Sequence, residues 1–216
     1  MTSGSSGPVR CLRPQGDAVG RRRDGLSRKE ADMASAVVTK RKYTYADYLQ
    51  LPEDQRYELI EGELQMAPAP TPLHQRVSRK IEFRLEQFVT EHDLGEVFDA
   101  PCDVYLDEEN VVQPDLFFIR RERLGIIGER NIQGAPDLVI EVVSEGSAYR
   151  DLVRKKRLYA RFGVSEYWVV FPEERAVEVY VLRGQRFRLQ GAYAEEEVLE
   201  STVLPGFRLP LKEIFG

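Results

Sequence analysis

An excess of positive charge is what this chain most plainly lacks. With 31 Lys and Arg against 36 Asp and Glu, its formal charge is -5, so a polyanion feels no overall attraction and must meet a local basic patch. Cysteine is scarce as well: Cys11 and Cys102 lie far apart, and neither stands in a CxxC or Cys/His cluster. That excludes a disulfide framework and a metal-thiolate site, and a reduced cytoplasm is the simplest compartment. No apolar run approaches the ~20 residues needed to span a bilayer, and no basic, then apolar, then small-residue leader is present, so no membrane role is expected.

What is present suits one folded domain. The 216 residues, 42% hydrophobic and 31% charged, can bury a single sizeable core. Residues 1–32 differ from the rest, with Gly, Ser, Pro and Arg but almost no apolar periodicity, a composition that cannot offset its ordering entropy. The expected organisation is therefore a disordered segment over 1–40, in which "GRRR" could serve as an arm, and a domain over 41–216.

Within the domain, "TYADYLQLP" reads as a short helix capped by Thr44 and closed by Pro52, and "RYELIEGELQM" as a hairpin around Gly62. Val77, Ile81, Leu85 and Phe88 recur at spacings of three and four, so 71–95 predicts a long amphipathic helix ended by Gly95. "EVFDAPCDVYLDEENVVQPDLFFI" predicts two strands joined at "DEEN", and "PDLVIEVVS" a third. A helix over 151–162 closed by Gly163 follows, then strands in "EYWVVFP", "AVEVYVL" and "RFRLQGAY", and a last helix in "PLKEIF". That order predicts an α/β fold, a mixed sheet flanked by helices with an N-terminal hairpin extension.

The carboxylates inside apolar strands are the functional signal. Alternation puts Asp137, Val139, Glu141 and Val143 on one face, with Leu138, Ile140 and Val142 on the other, and Asp115 shares a face with Phe117. Acidic groups brought together from adjacent strands repel unless a hard divalent cation, Mg²⁺ or Mn²⁺, neutralises them. The structural alternative is that Asp115 and Asp137 cap turns while Glu141 pairs with an arginine. On helix 151–162, at ~100° per residue, Leu152, Tyr159 and Phe162 define a core-facing side, and Lys155 projects between Tyr159 and Phe162. A lysine there needs an anion, and Glu141 on the preceding strand can supply one. Arg154, Arg157 and Arg161, with Arg150 nearby, form a basic face suited to nucleic acid or simply to solvent.

Through "YELIEGEL", "PLHQRV", "QPDLFFI", "GAPDLVIEVVS", "RDLVRKKRLYARFGVSEYWVV" and "LPGFRLPL", the chain resembles the Uma2 family of restriction-endonuclease-like proteins in the PD-(D/E)XK nuclease superfamily, from about Tyr43 to Phe215. The resemblance implies a site of Asp115, Glu141 and a lysine. Position 143 is Val, so the strand lysine is missing, and the family's lysine on the following helix falls on Lys155, with Lys156 as the competing choice. Where members usually read "VDP", this chain has "VFP", with Phe171 in the middle.

The implied activity is a Mg²⁺- or Mn²⁺-dependent endonuclease cutting phosphodiester bonds in DNA, with Asp115 and Glu141 as metal ligands. Glu58, Glu61 and His74 are secondary candidates, and alternation in a strand lets only one of Glu58 and Glu61 point inward. A homodimer is open as the assembly. The rival classes are a nuclease fold that binds nucleic acid or a structural ion without cutting, and a two-carboxylate hydrolase of small substrates.

Overall fold

The computed structural model describes residues 41–52, 55–67, 69–143 and 149–216; segment 1–40, with Cys11 and "GRRR", lies outside the described residues. No described helix is long and apolar enough to cross a membrane.

Local sequence chemistry sets the first elements. Helix α1 (Tyr45–Tyr48) has Thr44 as N-cap, and Thr44 and Asp47 close a reciprocal capping box. Strands β1 (Tyr57–Ile60) and β2 (Glu63–Met66) form the expected hairpin. Its turn places Glu61 and Gly62 at φ 54° and 79°, the left-handed pair of a type I′ turn, and a Cβ on Gly62 would meet Lys42 at 2.8 Å. Helix α2 (Pro72–His92) starts at an N-cap Thr71 with Pro72 in its first turn, and buries Val77, Ile81, Leu85 and Val89. Its end differs from expectation. Asp93, in the left-handed conformation, caps it, while Gly95 already begins a strand; the buried stripe runs in steps of four to Val89, and Phe88 packs only at its margin.

The stretch 95–120 holds four strands rather than two: β3 (Gly95–Asp99), β4 (Val104–Asp107), β5 (Asn110–Val112) and β6 (Leu116–Arg120). "APCD" and "QPD" each contain a proline that cannot donate to a ladder, and both act as breaks where the chain passes between sheets. A 3₁₀ turn (Arg121–Ile126) and β7 (Ile132–Gln133) lead to β8 (Leu138–Val142), after which come α3 (Tyr149–Phe162), β9 (Glu166–Phe171), β10 (Ala176–Arg183) and β11 (Arg186–Ala194). A ribbon of β12 (Val198–Glu200) and β13 (Arg208–Pro210), which periodicity does not reveal at that length, precedes α4 (Leu211–Phe215).

Two sheets result. The larger has six strands in the order β11-β10-β9-β8-β6-β3, antiparallel except for the β8–β9 pair, which α3 joins as a crossover. The smaller has five, β2-β1-β5-β4-β7, so the N-terminal hairpin forms its edge. Strand β8 is buried along its whole length, and its faces divide as alternation requires. Leu138, Ile140 and Val142 pack with α2, Trp168 and the C-terminal residues Leu209 and Ile214. Val139 packs on the other face with Phe117, Tyr159 and Tyr167 and with Ile60, Val104 and Val112 of the small sheet. Each fully buried large side chain of this kind contributes about 1.5–3 kcal/mol.

Two buried acids are structural. Asp137 accepts the Arg120 N–H at 3.0 Å and pairs with Arg123 at 2.9 Å, tying the 3₁₀ turn to the start of β8. Glu166, fully buried, accepts from Trp168 Nε1, the Thr202 hydroxyl and the backbone N–H groups of Thr202 and Val203.

Candidate functional site

Asp115 sits at the entry to β6, after the Gln113–Pro114 link that carries the chain out of the small sheet. The β6–β8 register pairs Leu116 with Ile140, so the next step outward sets Asp115 across from Glu141. Its Oδ2 accepts the Val142 N–H at 2.8 Å and lies 3.2 Å from His74 Nε2, near the start of α2. The two acids named from sequence therefore meet at one end of the large sheet.

Glu141 lies deeper and is tightly held. Lys155 Nζ reaches its two oxygens at 3.1 and 3.2 Å, and the Tyr159 hydroxyl donates to Oε1 at 2.6 Å. Tyr159 comes one turn after Lys155 on α3, so both project from one helix face onto the strand that precedes the helix. Glu58 enters from the small sheet: its Oε1 is 2.8 Å from Lys155 Nζ and accepts the Gln113 N–H at 2.9 Å. Lys155 is thus the joint between a carboxylate of each sheet, and its side chain is only 12% exposed.

The electrostatics follow from that burial. Removal from water pushes the Glu141 pKa up to about 7; Lys155 opposes the rise, Asp115 and Glu58 add to it, and the Tyr159 hydrogen bond moderates it. For Lys155, burial favours the neutral amine, but Glu141 and then Glu58 reverse this and hold it charged well above the ordinary lysine range. For His74, burial is likewise overcome by the hydrogen bond to Asp115 and the negative charges of Asp115 and Glu141, so its pKa is raised. Burial raises Tyr159 well above the usual phenol value, with Glu141 adding to it, so it remains a donor.

The other sequence candidates separate. Glu61 is not in a strand but at the positive-φ turn; it is exposed and 3.7 Å from Arg154, away from the Lys155 junction. Arg154 bonds Glu63 at 3.0 Å and the Ile60 carbonyl at 3.1 Å, and so is engaged by the small sheet. Arg161 lies 3.7 Å from Asp107, Arg157 is exposed, and the Arg150 side chain falls outside the described residues. Lys156 points elsewhere from Lys155, its ammonium 3.0 Å from the centre of the Tyr180 ring. Phe171 packs at the margin of the core that contains Val139 and Tyr167. The hydrogen bond of Tyr159 to Glu141 was not read from the sequence, which marks Tyr159 only as core-facing; its spacing of four from Lys155 is the signal that could have found it.

Beside Asp115 and His74 opens a cleft of about 390 Å³, flanked by Arg56 and Arg79 and by Glu82 and Asp99. Burial, with Asp99 and Glu86, raises the Glu82 pKa. Arg56 is oriented by a 3.1 Å hydrogen bond to the Gln113 side chain.

Residues 45–212 match the Uma2 family, described as "Putative restriction endonuclease". The chain belongs to the Uma2 family. Among curated proteins none matches. A solved structure from Anabaena variabilis ATCC 29413, titled a "putative nuclease belonging to DUF820", superposes with a TM-score of 0.67 at 19% identity, covering 80% of this chain and 97% of that one. At that identity the likeness carries the fold alone: this Uma2 member shares the mixed α/β fold of that structure.

Proposed function

We propose that this Uma2 protein is a Mg²⁺- or Mn²⁺-dependent endonuclease that hydrolyses phosphodiester bonds in DNA. The observation that carries the reading is the pairing of Asp115 and Glu141 across neighbouring strands with the Lys155 ammonium 3.1 Å from Glu141, beside an open cleft. Among the described residues no group of three His, Cys, Asp or Glu side chains converges as a ready metal cage. The donors on offer are hard carboxylate oxygens of Asp115 and Glu141, which suit Mg²⁺, a cation that keeps several waters and takes few protein ligands. Bound there, the cation would polarise the phosphoryl oxygen and acidify the attacking water.

This chain's own residues would do the rest. Lys155 opposes the burial-driven rise of the Glu141 pKa and offers a positive charge to the negative charge that develops in the transition state. Tyr159 fixes the rotamer of Glu141, and Glu58 anchors Lys155 to the small sheet. His74 orients Asp115 at the cleft floor. Arg56 and Arg79 on the cleft walls would receive the neighbouring phosphates. Nicking of supercoiled plasmid with Mg²⁺ or Mn²⁺, abolished by EDTA and by Asp115→Asn, is the expected result; loss-free cutting by Asp115→Asn would overturn the proposal.

One observation favours a second reading, a nuclease fold that binds nucleic acid without cutting it. Lys155 already balances Glu58 and Glu141 from within, and only Asp115 and His74 reach the cleft wall. Binding to DNA with no nicking under any divalent metal would establish that reading.

A further inference from the structure

The helix that supplies Lys155 has a second, cationic face. Opposite Lys155, α3 borders a separate cleft of about 540 Å³ whose other wall is the start of β11. Its walls carry Lys156, Arg157, Arg161 and Arg186, its aromatic element is Phe187, and no acidic side chain is among the described residues that line it. This is unusual in a chain of net charge -5, where cations such as Arg84, Arg123, Arg154, Lys155 and Arg175 each have a carboxylate partner.

The cations here are poorly served by the protein. Arg161 has only an exposed Asp107 at 3.7 Å, and its guanidinium lies over the Phe162 ring. Lys156 lies over Tyr180 rather than in an ion pair; burial pushes its pKa below the ordinary value, and the more distant Glu178 only partly offsets this. Arg157 and Arg186 have no ion pair within the described fold. Like charges gathered without counter-ions repel, at a cost that an anion in the cleft would offset.

We infer that this cleft holds a strand of the substrate nucleic acid through its phosphate backbone, with Phe187 offering a ring face for a base. Two features select a polymer strand over other anions. Charge complementarity calls for several phosphates in series rather than one, since the cations are spread along about one and a half turns of α3 and across to β11. Proximity to the proposed site comes from α3 itself, where Lys155 and Arg157 are two residues apart and face opposite flanks, so a strand on the outer flank lies about one helix width, ~10 Å, from the proposed site. The inference rests on the nuclease reading for its substrate, and its failure is separable from the failure of that reading.

The test is a charge reversal, Arg157→Glu with Arg186→Glu, on the full chain. Both residues are exposed, so thermal unfolding should stay unchanged, which certifies the fold. Fluorescence anisotropy with a labelled 20-nucleotide single strand and its duplex, in Ca²⁺ without Mg²⁺, should show Kd weakened about tenfold or more. The slope of log Kd against log salt should fall by about one to two, since each lost phosphate contact removes ~0.7–0.9. In Mg²⁺, KM should rise while kcat at saturation holds. Unchanged Kd, slope and KM in the double variant would overturn the inference even if cleavage is robust. Binding of mononucleotides with no affinity for either strand would also overturn it. DNA binding that is lost in the double variant, in a protein that cuts nothing, would leave the cleft assigned and refute the endonuclease.

Discussion

Replacing Lys155 by Met leaves Glu58 and Glu141 facing each other with no cation between them. Both acids are more than nine-tenths buried, and the ammonium lies 2.8 Å from one and 3.1 Å from the other. Removing one partner of a buried ion pair costs about 3–5 kcal/mol, because the remaining charge is stranded. In a domain of this size, 1 kcal/mol moves Tm by ~2–4 °C, so metal-free Lys155→Met at pH 8 should melt roughly 10 °C lower. The penalty should shrink at pH 5, where Glu141, with its pKa near 7, is already protonated and needs the ammonium less. Lys156→Met is the control: its half-buried ammonium lies over the Tyr180 ring with Glu178 more distant, and the ring contact is worth about 0.5–1 kcal/mol. Mn²⁺ or Mg²⁺ should stabilise Lys155→Met more than the unmutated protein, since two carboxylates would then attract the cation without an ammonium beside them. DNA nicking should meanwhile drop by about a hundredfold, the scale of losing one positioned electrostatic group. Scanning calorimetry in EDTA at both pH values, repeated with metal, reads these outcomes. Equal Tm for the two lysine variants at pH 8, or a penalty that grows toward pH 5, would refute the electrostatic account of the junction.

The remaining expectations use the same geometry. Tyr159→Phe removes the 2.6 Å donor to Glu141, should cost about 1–2 kcal/mol, and should shift the alkaline-going rise of the pH–rate profile upward, because that hydrogen bond lowers the Glu141 pKa; an unmoved profile would count against its placing Glu141. Metal-free stability should fall as pH rises from 5 to 8: Glu141 goes from an ordinary 4.5 to about 7 on folding, so the folded form binds the proton more tightly, and up to ~3 kcal/mol is lost across that interval. His74, whose pKa is also raised, contributes fully below its ordinary value of 6.5 and loses that contribution as pH passes its folded value, which acts in the same direction. Urea titrations in EDTA that show flat or rising stability would contradict both. Glu166→Leu, which strands the Trp168, Thr202 and Val203 donors, should destabilise by several kcal/mol without altering the ratio of metal-bound to metal-free stability; a selective loss of metal stabilisation would show that this acid belongs to the site.

What the sequence discloses tracks how local the controlling physics is. The Thr44 cap, the hairpin turn at Gly62, the two faces of β8 and the helical α3 depend on residues a few positions apart, and all are legible. Glu58 was harder, because its place is set by Gln113, 55 positions along the chain, and by a helix from the other side of the molecule. Glu61 misleads for a local reason: it lies one residue beyond the end of β1, where the chain turns and strand alternation no longer holds. The arginine face shows the same limit. Helical spacing groups Arg154, Arg157 and Arg161, but tertiary structure separates them: Arg154 is held by Glu63, while Arg157 faces a cleft with Arg186. The 95–120 stretch reads as two strands in sequence because its two short prolyl links resemble strand irregularities, whereas in the fold two separate sheets share it.

The helical place proposed for the active lysine has a geometric reason. In the strand pattern that the sequence resembles, the lysine lies two residues beyond the acid, on the same face of the strand, and here that position is Val143. The face in question is the one that α3 covers, since α3 begins soon after β8 ends and returns antiparallel to it to reach the parallel strand β9. A side chain projecting inward from the first half of α3 therefore looks down on the end of β8, and Lys155 has the length to bring its ammonium to Glu141. The helix position adds a contact not required by the strand pattern. From above the sheet the ammonium also meets Glu58, so the charge that accompanies Glu141 simultaneously ties the five-stranded sheet to the six-stranded one. Moving the lysine back, Lys155→Met with Val143→Lys, separates the two roles. Nicking should recover at least partly, since an ammonium again neighbours Glu141, while the stability lost with the Glu58 contact should not return. Recovery of full Tm without any recovery of nicking would refute this separation, since stability would then not need the Glu58 contact and an ammonium beside Glu141 would not suffice for cleavage.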